Sequence, residues 1–477
     1  MIDNQKPFLN QEKYHCLDGS DIRNIHEASL RVLSEVGIIL DDSETRSLLF
    51  DHGATKLKNR VLIPVELVES CLTSCPSQVM IQGRARQALL GNGNLHIHNL
   101  GGARDVLDAP NGNLRPACQN DVAISTRLLD ALENVTTITP LYTPRDVPAG
   151  LMAISMFDQV LRNTTKPING PGVTTVNEVK LIAEMAQIGL GNHPSVSLGV
   201  SPVSPLKFSG DIPQVILEVA RQGLPFGPLP CPNVGATSPM SLAGSLVQQN
   251  AENLAAIVIA QLAQPGLPIV YCGRLSVLNM RSGAPVWGNP EIGIMSAATV
   301  QLGHFYGLPV NVYGLAASGY IYDIQSGYER AINAIVPALA GADELSGVGE
   351  MAGGTFSSNA QMVIDNDIMG IVQRVRRGFV VNDDSLAVDV IAHVMDTSHD
   401  FLREQHTRKY LHAGEVWQGR LGIKETGWDM WQAAGRPDTP LRAQAEAERI
   451  LTMHQVTPLA DDQILELDKI INTIIAK

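Results

Sequence analysis

The feature of this sequence that most constrains its fold is a repeated alternation of short strand-like runs and helical stretches between about residues 94 and 380. Eight apolar or β-branched runs, each bounded by glycine or proline, are followed by an amphipathic or apolar helical pattern. The runs are LHIHNL, TTITPL, KPINGP, VSLGVSPVSPL, LPFGPLPCPN, LPIVYCG, LPVNVYG and ADELSGVG. Strands that alternate with helices pair in parallel. Eight such units predict an α/β fold, namely a closed (β/α)8 barrel of the TIM type.

An open, doubly wound parallel sheet is the alternative fold. Such a sheet usually carries a glycine-rich dinucleotide fingerprint after its first strand. The corresponding stretch here, NLGGARDVLD, lacks that glycine spacing. The sequence therefore favours the barrel.

The segments on either side of the barrel are predicted to be helical. Ser20 is a candidate N-cap, and apolar residues recur after it at helical spacing. We expect an N-terminal helical segment over 1–93, the barrel over 94–380 and a C-terminal helical extension over 381–477. The added helices are candidates for packing on the barrel and for a homo-oligomer interface.

Composition excludes several classes of protein. The 477 residues carry a formal charge of −13, so the chain has no basic excess to neutralise nucleic-acid phosphates. There is no run of 18 apolar residues and no secretory signal pattern, so no membrane association is expected. Six scattered cysteines in a long chain indicate reduced thiols. Together these features predict a cytoplasmic protein.

Motifs for metal, nucleotide or serine chemistry are missing from the sequence. It contains no HExxH, P-loop or GxSxG pattern. Cys71 and Cys75 could supply half of a metal site, but without a second pair we expect buried thiols. We also expect His96 and His98 to face opposite sides of their strand and so not to share an ion. No metal site is predicted.

Candidate binding residues stand at the predicted carboxyl ends of the strands, where barrel sites form. Tyrosines are concentrated there although the chain is only 5% aromatic. An aromatic rim with little charge suits a quaternary ammonium, which cation–π contacts can hold. The alternative is that these tyrosines only pack the barrel rim. The candidates for substrate binding are Tyr142, Tyr271, Tyr313, Tyr320, Arg274 and His98.

Several longer segments resemble a known family. They include PRDVPAGLMAISMFDQVLRNTTKPINGP, CPNVGATSPMSLAGSLVQQNAENLAAIVIAQLAQPGLPIVYCG and SGYIYDIQSGYERAINAIVPALAGA, and they spread over residues 140–412. The sequence resembles the trimethylamine methyltransferase family of corrinoid-dependent enzymes, in the branch that lacks pyrrolysine. That branch includes glycine betaine:corrinoid protein methyltransferase.

This resemblance implies a (β/α)8 barrel that transfers a methyl group to the Co(I) corrinoid of a partner protein, with no tightly bound cofactor of its own. In the founding branch a pyrrolysine stands close to the position of Tyr320. Its absence here implies a quaternary amine, with glycine betaine as the first candidate, because such a substrate already carries the positive charge. The place where family members often have a histidine is occupied by Ser346, with Glu350 four residues on.

The substrate and the activity leave alternatives open. Proline betaine, carnitine and choline are alternatives within the same chemistry. A non-catalytic betaine-binding barrel and a zinc-dependent methyltransferase on the same barrel are alternatives of other classes.

Overall fold

The computed structural model describes residues 12–110, 112–191, 195–397, 399–422 and 427–475. The α-helices in these ranges are α1 Gly19–Arg31, α2 Ser43–Asp51, α3 Val65–Ser74, α4 Gln119–Ala131, α5 Met152–Asn163, α6 Val176–Leu190, α7 Ile212–Arg221, α8 Leu242–Ala263, α9 Pro290–Phe305, α10 Ile324–Ala340, α11 Asn359–Arg377, α12 Asp383–Leu386, α13 Val388–Asp396, α14 Gln405–His412, α15 Trp428–Ala433, α16 Thr439–Met453 and α17 Asp461–Ile475.

The strands are β1 Ile38–Leu40, β2 Thr55–Leu57, β3 Arg60–Leu62, β4 Val79–Gln82, β5 Gln87–Leu90, β6 His96–Asn99, β7 Asp105–Leu107, β8 Leu114–Pro116, β9 Leu198–Val200, β10 Lys207–Phe208, β11 Phe226–Pro228, β12 Asn233–Val234, β13 Tyr271–Gly273, β14 Ser276–Leu278, β15 Pro285–Val286, β16 Val310–Tyr313, β17 Glu344–Val348, β18 Glu350–Met351 and β19 Phe356–Ser357.

Eight parallel extended segments close into a barrel in chain order. Barrel strands 1 to 8 are β6, short segments around Ile138 and Ile168, β9, β11, β13, β16 and β17. The neighbours are linked by Thr136 N–H to Ile97 O, Ile138 with Ile168, Asn169 with Ser197, Leu198 with Phe226, Phe226 with Ile269, Tyr271 with Val310, Asn311 with Glu344, and Glu344 with His96. The last strand thus pairs with the first. The predicted (β/α)8 barrel is confirmed, and an open sheet, which would leave two edges, is excluded.

A helix follows each barrel strand, from α4 after the first to α11 after the eighth. Local sequence fixes where these helices begin. Thr175 and Glu178 form a capping box at the start of α6, with Glu178 N–H donating to Thr175 Oγ1 at 3.2 Å. Pro213 and Pro290 stand in the first turns of α7 and α9, where a missing N–H costs nothing.

A β-hairpin of β4 and β5 closes the amino end of the barrel. Its apolar side chains alternate with exposed ones, so one face is buried. That face forms one cluster with barrel strand 6, made of Val79, Ile81, Ala88, Leu90, Val270 and Cys272. The interior of the barrel is therefore sealed at this end.

The segment before residue 94 contains strands as well as the predicted helices. Helices α1 to α3 are present, but β1 to β5 were not predicted, because runs of three or four residues are too short to show a period of two. β1 pairs in parallel with β10, which ties this segment to the loop after barrel strand 4. The division of the chain at residues 93 and 380 stays a prediction.

His96 and His98 share one face of β6, which corrects the expectation that they face opposite sides. Residues two apart on a strand point the same way, so the premise of that expectation was wrong. His96 pairs with Glu344 across the sheet, and His98 faces the barrel interior further along the strand. Within the described ranges, no group of three or more His, Cys, Asp and Glu side chains is placed so that it could hold an ion.

Helices α16 and α17 pack on the outside of the barrel. Ala443 and Ala447 are fully buried where α16 lies against α11 and α4, since small side chains allow close approach. Arg162 of α5 donates to Asp468 of α17 at 2.7 Å. None of the helices in the part of the chain described here is long and apolar enough to cross a membrane.

Candidate active site

A cavity of about 470 Å³ lies at the carboxyl ends of the barrel strands. The loops after strands 1 to 3 contribute much of its wall, including Gly101, Gly102, Met152 and the stretch 170–172. Its charged and polar groups come from several barrel strands and from α6, and they include His98, Asn169, Glu178, Arg274, Asn311 and Glu344. This is the position in which (β/α)8 enzymes build active sites.

The cavity brings together three of the six predicted binding residues. His98, Arg274 and Tyr313 line it. They come from barrel strand 1, the residue after barrel strand 6 and the last residue of barrel strand 7. Whether they contact a substrate stays a prediction.

The other three predicted residues lie outside this cavity, which corrects the expectation of four adjacent tyrosines. Tyr271 alternates with the inward-facing Val270 and Cys272, so its ring points to the helix layer. There its hydroxyl donates to Asn250 Oδ1 at 2.7 Å. Sequence reasoning counted tyrosines near strand ends without assigning each to a face of its strand.

Tyr142 and Tyr320 lie outside the cavity for different reasons. Tyr142 is fully buried beside Ala103, to which its backbone is bridged, and is not among the cavity-lining residues described. Tyr320 is 74% exposed in the loop after barrel strand 7. That loop is held by Glu329, whose Oε2 accepts the Ser318 N–H at 2.7 Å.

A buried polar network forms the inner part of the cavity, and Glu344 stands at its centre. Glu344 Oε1 accepts a hydrogen bond from Thr137 Oγ1 at 2.5 Å and one from Asn169 Nδ2 at 3.1 Å. Its other oxygen accepts from Asn311 Nδ2. The carboxylate is therefore held by three donors from three different barrel strands.

Asn311 connects Glu344 to His98 and Arg274. Its Nδ2 also donates to His98 Nε2 at 3.0 Å, and its Oδ1 accepts from Arg274 Nη2. His98 Nδ1 lies 2.6 Å from the Asn99 carbonyl oxygen, to which it donates. These contacts define a neutral His98 with its proton on Nδ1.

The electrostatics of this network keep Glu344 charged and His98 neutral. Burial lowers the pKa of His98, although the nearby Glu344 carboxylate opposes that change. Burial acts to raise the pKa of Glu344, but the positive charge of His98, when it is protonated, and the donors Thr137 and Asn169 outweigh it, so that pKa lies below its usual value. Once His98 is neutral, the hydrogen bonds from Thr137, Asn169 and Asn311 are what hold the carboxylate. The cavity thus contains a buried anion.

Arg274 supplies the opposite charge. Its Nη1 donates to the carbonyl oxygens of Gly273 and Asn311 at 2.9 and 3.1 Å, and its Nη2 donates to Asn311 Oδ1. These contacts use three of the five guanidinium N–H donors. The Arg274 Cζ lies 4.9 Å from the centre of the Tyr313 ring, and Trp287 packs edge-on against that ring at 5.2 Å.

A second buried charged cluster lies next to the carboxyl end of barrel strand 8. Arg330 and Asp365 form an ion pair of 3.0 Å with both side chains almost fully buried. Arg330 also donates to the Glu350 carbonyl oxygen. Burial raises the pKa of the Glu350 carboxyl to about 8, so it is largely protonated at neutral pH.

Sequence reasoning missed Glu344, Asn311 and Asn169. A signal existed for Asn311, which is a polar residue within the otherwise apolar run VNVY. A polar residue at an inward position of a barrel strand must be hydrogen-bonded. Assigning the faces of this strand by alternation from Asn311 would have placed one member of the network in the barrel interior.

Fold and site define a (β/α)8 enzyme with a polar cavity at the carboxyl ends of its strands. Residues 2–475 match the sequence model of the trimethylamine methyltransferase family, and the chain belongs to that family of methyltransferases.

Two of its relatives are trimethylamine methyltransferases. One, from Desulfitobacterium hafniense (strain DSM 10664 / DCB-2), is 31% identical over 92% of this chain and 89% of its own length. The other, from Methanosarcina barkeri, is 31% identical over 97% of this chain and 96% of its own length. A glycine betaine methyltransferase from Desulfitobacterium hafniense (strain Y51) is 28% identical over 95% of both chains.

Among solved structures, the monomethylamine methyltransferase of Methanosarcina barkeri has a similar fold. The TM-score is 0.53, at 14% identity, over 93% of this chain and 89% of that one. At this identity the likeness supports the fold alone.

Proposed function

We propose that this enzyme transfers a methyl group from a quaternary amine, with glycine betaine as the first candidate, to the Co(I) corrinoid of a separate protein. The observation that carries the choice of substrate is the pair of opposite charges in the cavity. Arg274 and Glu344 both line it, and Asn311 separates them through hydrogen bonds to each. A zwitterion such as a betaine offers a carboxylate to one and an ammonium to the other.

The unused donors of Arg274 suit a carboxylate. A guanidinium can bind a carboxylate through two parallel N–H donors, which adds both energy and orientation. Its contacts with Asn311 and with Tyr313 fix the plane of the group before any ligand arrives. Choline, which has no carboxylate, would leave these donors unpaired.

Charge attraction, more than an aromatic cage, would hold the ammonium group. Among the described lining residues, Tyr313 is the only Phe, Tyr or Trp, so the passive aromatic wall expected from the sequence reduces to one ring. The buried Glu344 carboxylate compensates, because Coulomb attraction is strong where water is excluded. A trimethylammonium group has no N–H to donate, so it does not compete with the protein donors that already hydrogen-bond to Glu344.

The reaction class follows from the leaving group. Co(I) attacks the methyl carbon, the C–N bond breaks with its electron pair staying on nitrogen, and a neutral tertiary amine leaves. The cobalt supplies both electrons of the new Co–C bond and becomes Co(III). No proton moves in this step, which agrees with a cavity whose histidine is held neutral. Positioning and exclusion of water are then what the protein contributes.

The relatives support the same class of reaction. One curated relative is named for glycine betaine, and several are named for trimethylamine. The printed sequence has no pyrrolysine. This absence favours a substrate that is already quaternary.

The test is an assay of the purified protein with a reduced corrinoid protein and a panel of glycine betaine, proline betaine, carnitine and choline. We expect methyl-Co(III) absorbance and dimethylglycine with glycine betaine. Arg274→Ala should weaken binding of glycine betaine much more than that of choline. Absence of turnover with every member of the panel would refute the proposal, and calorimetric binding without turnover would favour a non-catalytic binder.

A further inference from the structure

Glu178, in the first turn of α6, is a charged residue of the cavity to which the proposed reaction gives no role. Its side chain lines the same cavity as Arg274 and Glu344, and only 8% of the residue is exposed. It is also the third helical residue of the capping box that begins α6. Glu178 therefore connects the start of this helix to the wall of the site.

The two oxygens of the Glu178 carboxylate have different surroundings. Oε2 accepts hydrogen bonds from the backbone N–H groups of Thr174 and Thr175, at 2.6 and 3.0 Å, and from Thr174 Oγ1 at 3.0 Å. Oε1 has no hydrogen-bond partner in the described part of the chain, yet it is not sealed in the interior. Since both carboxylate oxygens can accept hydrogen bonds, Oε1 is a free acceptor on the cavity side.

Capping of α6 does not account for this free oxygen. Oε2 alone accepts the donors at the start of the helix, and the Glu178 N–H donates to Thr175 Oγ1 at 3.2 Å. A neutral glutamine would serve as well, because capping boxes use either glutamate or glutamine at this position. The negative charge of Glu178 is thus available for a ligand.

The charges that line the cavity do not balance. Within the described ranges they are two carboxylates, Glu178 and Glu344, and one guanidinium, Arg274, whereas His98 is held neutral. The amino end of α6 carries roughly half a positive charge, which offsets only part of the charge on Glu178. The cavity therefore stays anionic. A zwitterion such as glycine betaine, whose own charges cancel, leaves one carboxylate unmatched.

The cavity is also larger than glycine betaine requires. Pockets of about 300–1,000 Å³ hold drug-sized ligands, and this cavity has a volume of about 470 Å³. Glycine betaine has a single carbon between its two charged groups and fills only part of that space. A longer quaternary amine leaves room for one more polar group.

We propose that Glu178 is a specificity-determining residue, and that the preferred substrate is a quaternary amine that carries a protonated amine besides its carboxylate. This inference rests on the proposed function and narrows its substrate class. The amine N–H groups donate to Glu178 Oε1, while the carboxylate and the quaternary ammonium bind at Arg274 and Glu344. The quaternary group cannot take the place of the amine, because it has no N–H. Glycine betaine binds the same site more weakly.

The experiment compares two ligands that differ only in the amine. They are trimethyllysine, quaternary at its side-chain nitrogen, and its deamino analogue trimethylammoniohexanoate. Isothermal titration calorimetry on the wild-type protein should show that the amine lowers Kd about 10- to 100-fold, the range of a hydrogen bond to a charged group.

Two variants assign this ratio of Kd values to Glu178. Glu178→Gln keeps the capping box but removes the charge and presents an NH₂ group in place of Oε1, so the ratio should fall below about 3-fold. Glu184→Gln is the matched control. It loses the same charge on the same helix, but Glu184 is exposed and is not among the described cavity residues, so the wild-type ratio should remain.

Thermal melting shows whether Glu178→Gln is folded. If it is not, Glu178→Asp decides, since it keeps a charge at the helix start but withdraws the carboxylate by one methylene, and it should also lower the ratio. Equal Kd values for the two ligands on the wild-type protein, or a ratio that the folded Glu178 variant leaves unchanged, would overturn the inference. Glu178 would then be a helix cap only. Methyl transfer from glycine betaine to the corrinoid protein would still stand in that case, whereas failure of every quaternary amine to bind would refute both proposals.

Discussion

Replacement of Glu344 by glutamine tests the role of the buried anion most directly. The side chain keeps its shape, but its NH₂ group must face either the Thr137 and Asn169 donors or the Asn311 donor. Rotation of the Asn311 amide cannot relieve the conflict, because its oxygen is held by Arg274 and its nitrogen also serves His98. At least one donor is left unsatisfied in every arrangement.

The magnitude of the stability loss follows from these bonds. A hydrogen bond to a charged group contributes about 1.5–3 kcal/mol, and an unsatisfied buried group costs about 1–3 kcal/mol, so Glu344→Gln should destabilise the fold by about 2–4 kcal/mol. For a chain of 477 residues, the unfolding entropy converts each kcal/mol into about 1 °C of Tm. We expect a Tm decrease of about 2–4 °C by calorimetry.

The effect on ligand binding should be larger than this modest change in stability suggests. An ammonium about 5 Å from a carboxylate gains about 3 kcal/mol at an effective dielectric constant of 20. Part of that energy is offset by desolvation, so the Kd for glycine betaine should rise about 10- to 100-fold. Isothermal titration calorimetry measures this change without need of the corrinoid protein.

Thr137→Val is the control that separates charge from packing. It removes one donor to Glu344 but leaves the carboxylate in place, and Thr137 is buried without lining the cavity. It should lower Tm while changing Kd for glycine betaine less than about 3-fold, which is under 1 kcal/mol. An unchanged Kd in Glu344→Gln, or an equal loss in Thr137→Val, would refute the reasoning.

Other parts of the structure give four further predictions. Asp365→Ala should cost about 3–5 kcal/mol in denaturant unfolding, because Arg330 would be left charged and buried without its partner; a loss below 1 kcal/mol would contradict the assignment. The folded-state pKa of Glu350, about 8, exceeds its ordinary value of 4.5, so this group makes the fold less stable as pH rises from 4.5 towards 8. Glu350→Gln should therefore flatten the decline of Tm over that range, and an equally steep decline in the variant would show that another group causes it. Tyr313→Ala should weaken betaine binding about 5- to 30-fold and Tyr313→Phe little, since the ring face makes the contact. Tyr271→Phe should lower Tm and leave KM unchanged, and a KM effect as large as that of Tyr313→Ala would place Tyr271 in the site.

The fold could be predicted from the sequence because each barrel unit is local. A strand-like run and the helix after it are both visible as patterns within about 30 residues. All eight runs named from the sequence coincide with the eight barrel strands. The short strands β1 to β5 could not be predicted in this way, because their pairing depends on distant partners such as β10.

The site was harder to predict because it depends on which way each side chain points. Arg274, His98 and Tyr313 were found from their positions at or near strand ends. Tyr271 was predicted to face the cavity, but it lies one position away from the inward-facing residues of its strand. Successive side chains of a strand point to opposite faces, so that of Tyr271 lies in the helix layer. Glu344 was missed since its charge is stabilised by groups from three other strands, and no local window of sequence contains them.

Closure of the barrel between its first and last strands has a consequence for how the protein is made. About 240 residues lie between Asn99 and Glu344, and at 5–20 residues per second a ribosome takes about 12–50 s to synthesise them. Throughout that interval one edge of β6 remains unpaired, and the inward-facing groups of the polar network around Glu344 have only some of their hydrogen-bond donors. Exposed strand edges of this kind associate with other chains. We therefore expect the nascent chain to depend on chaperones until residues beyond 348 have left the ribosome, although the finished barrel has no edge to protect.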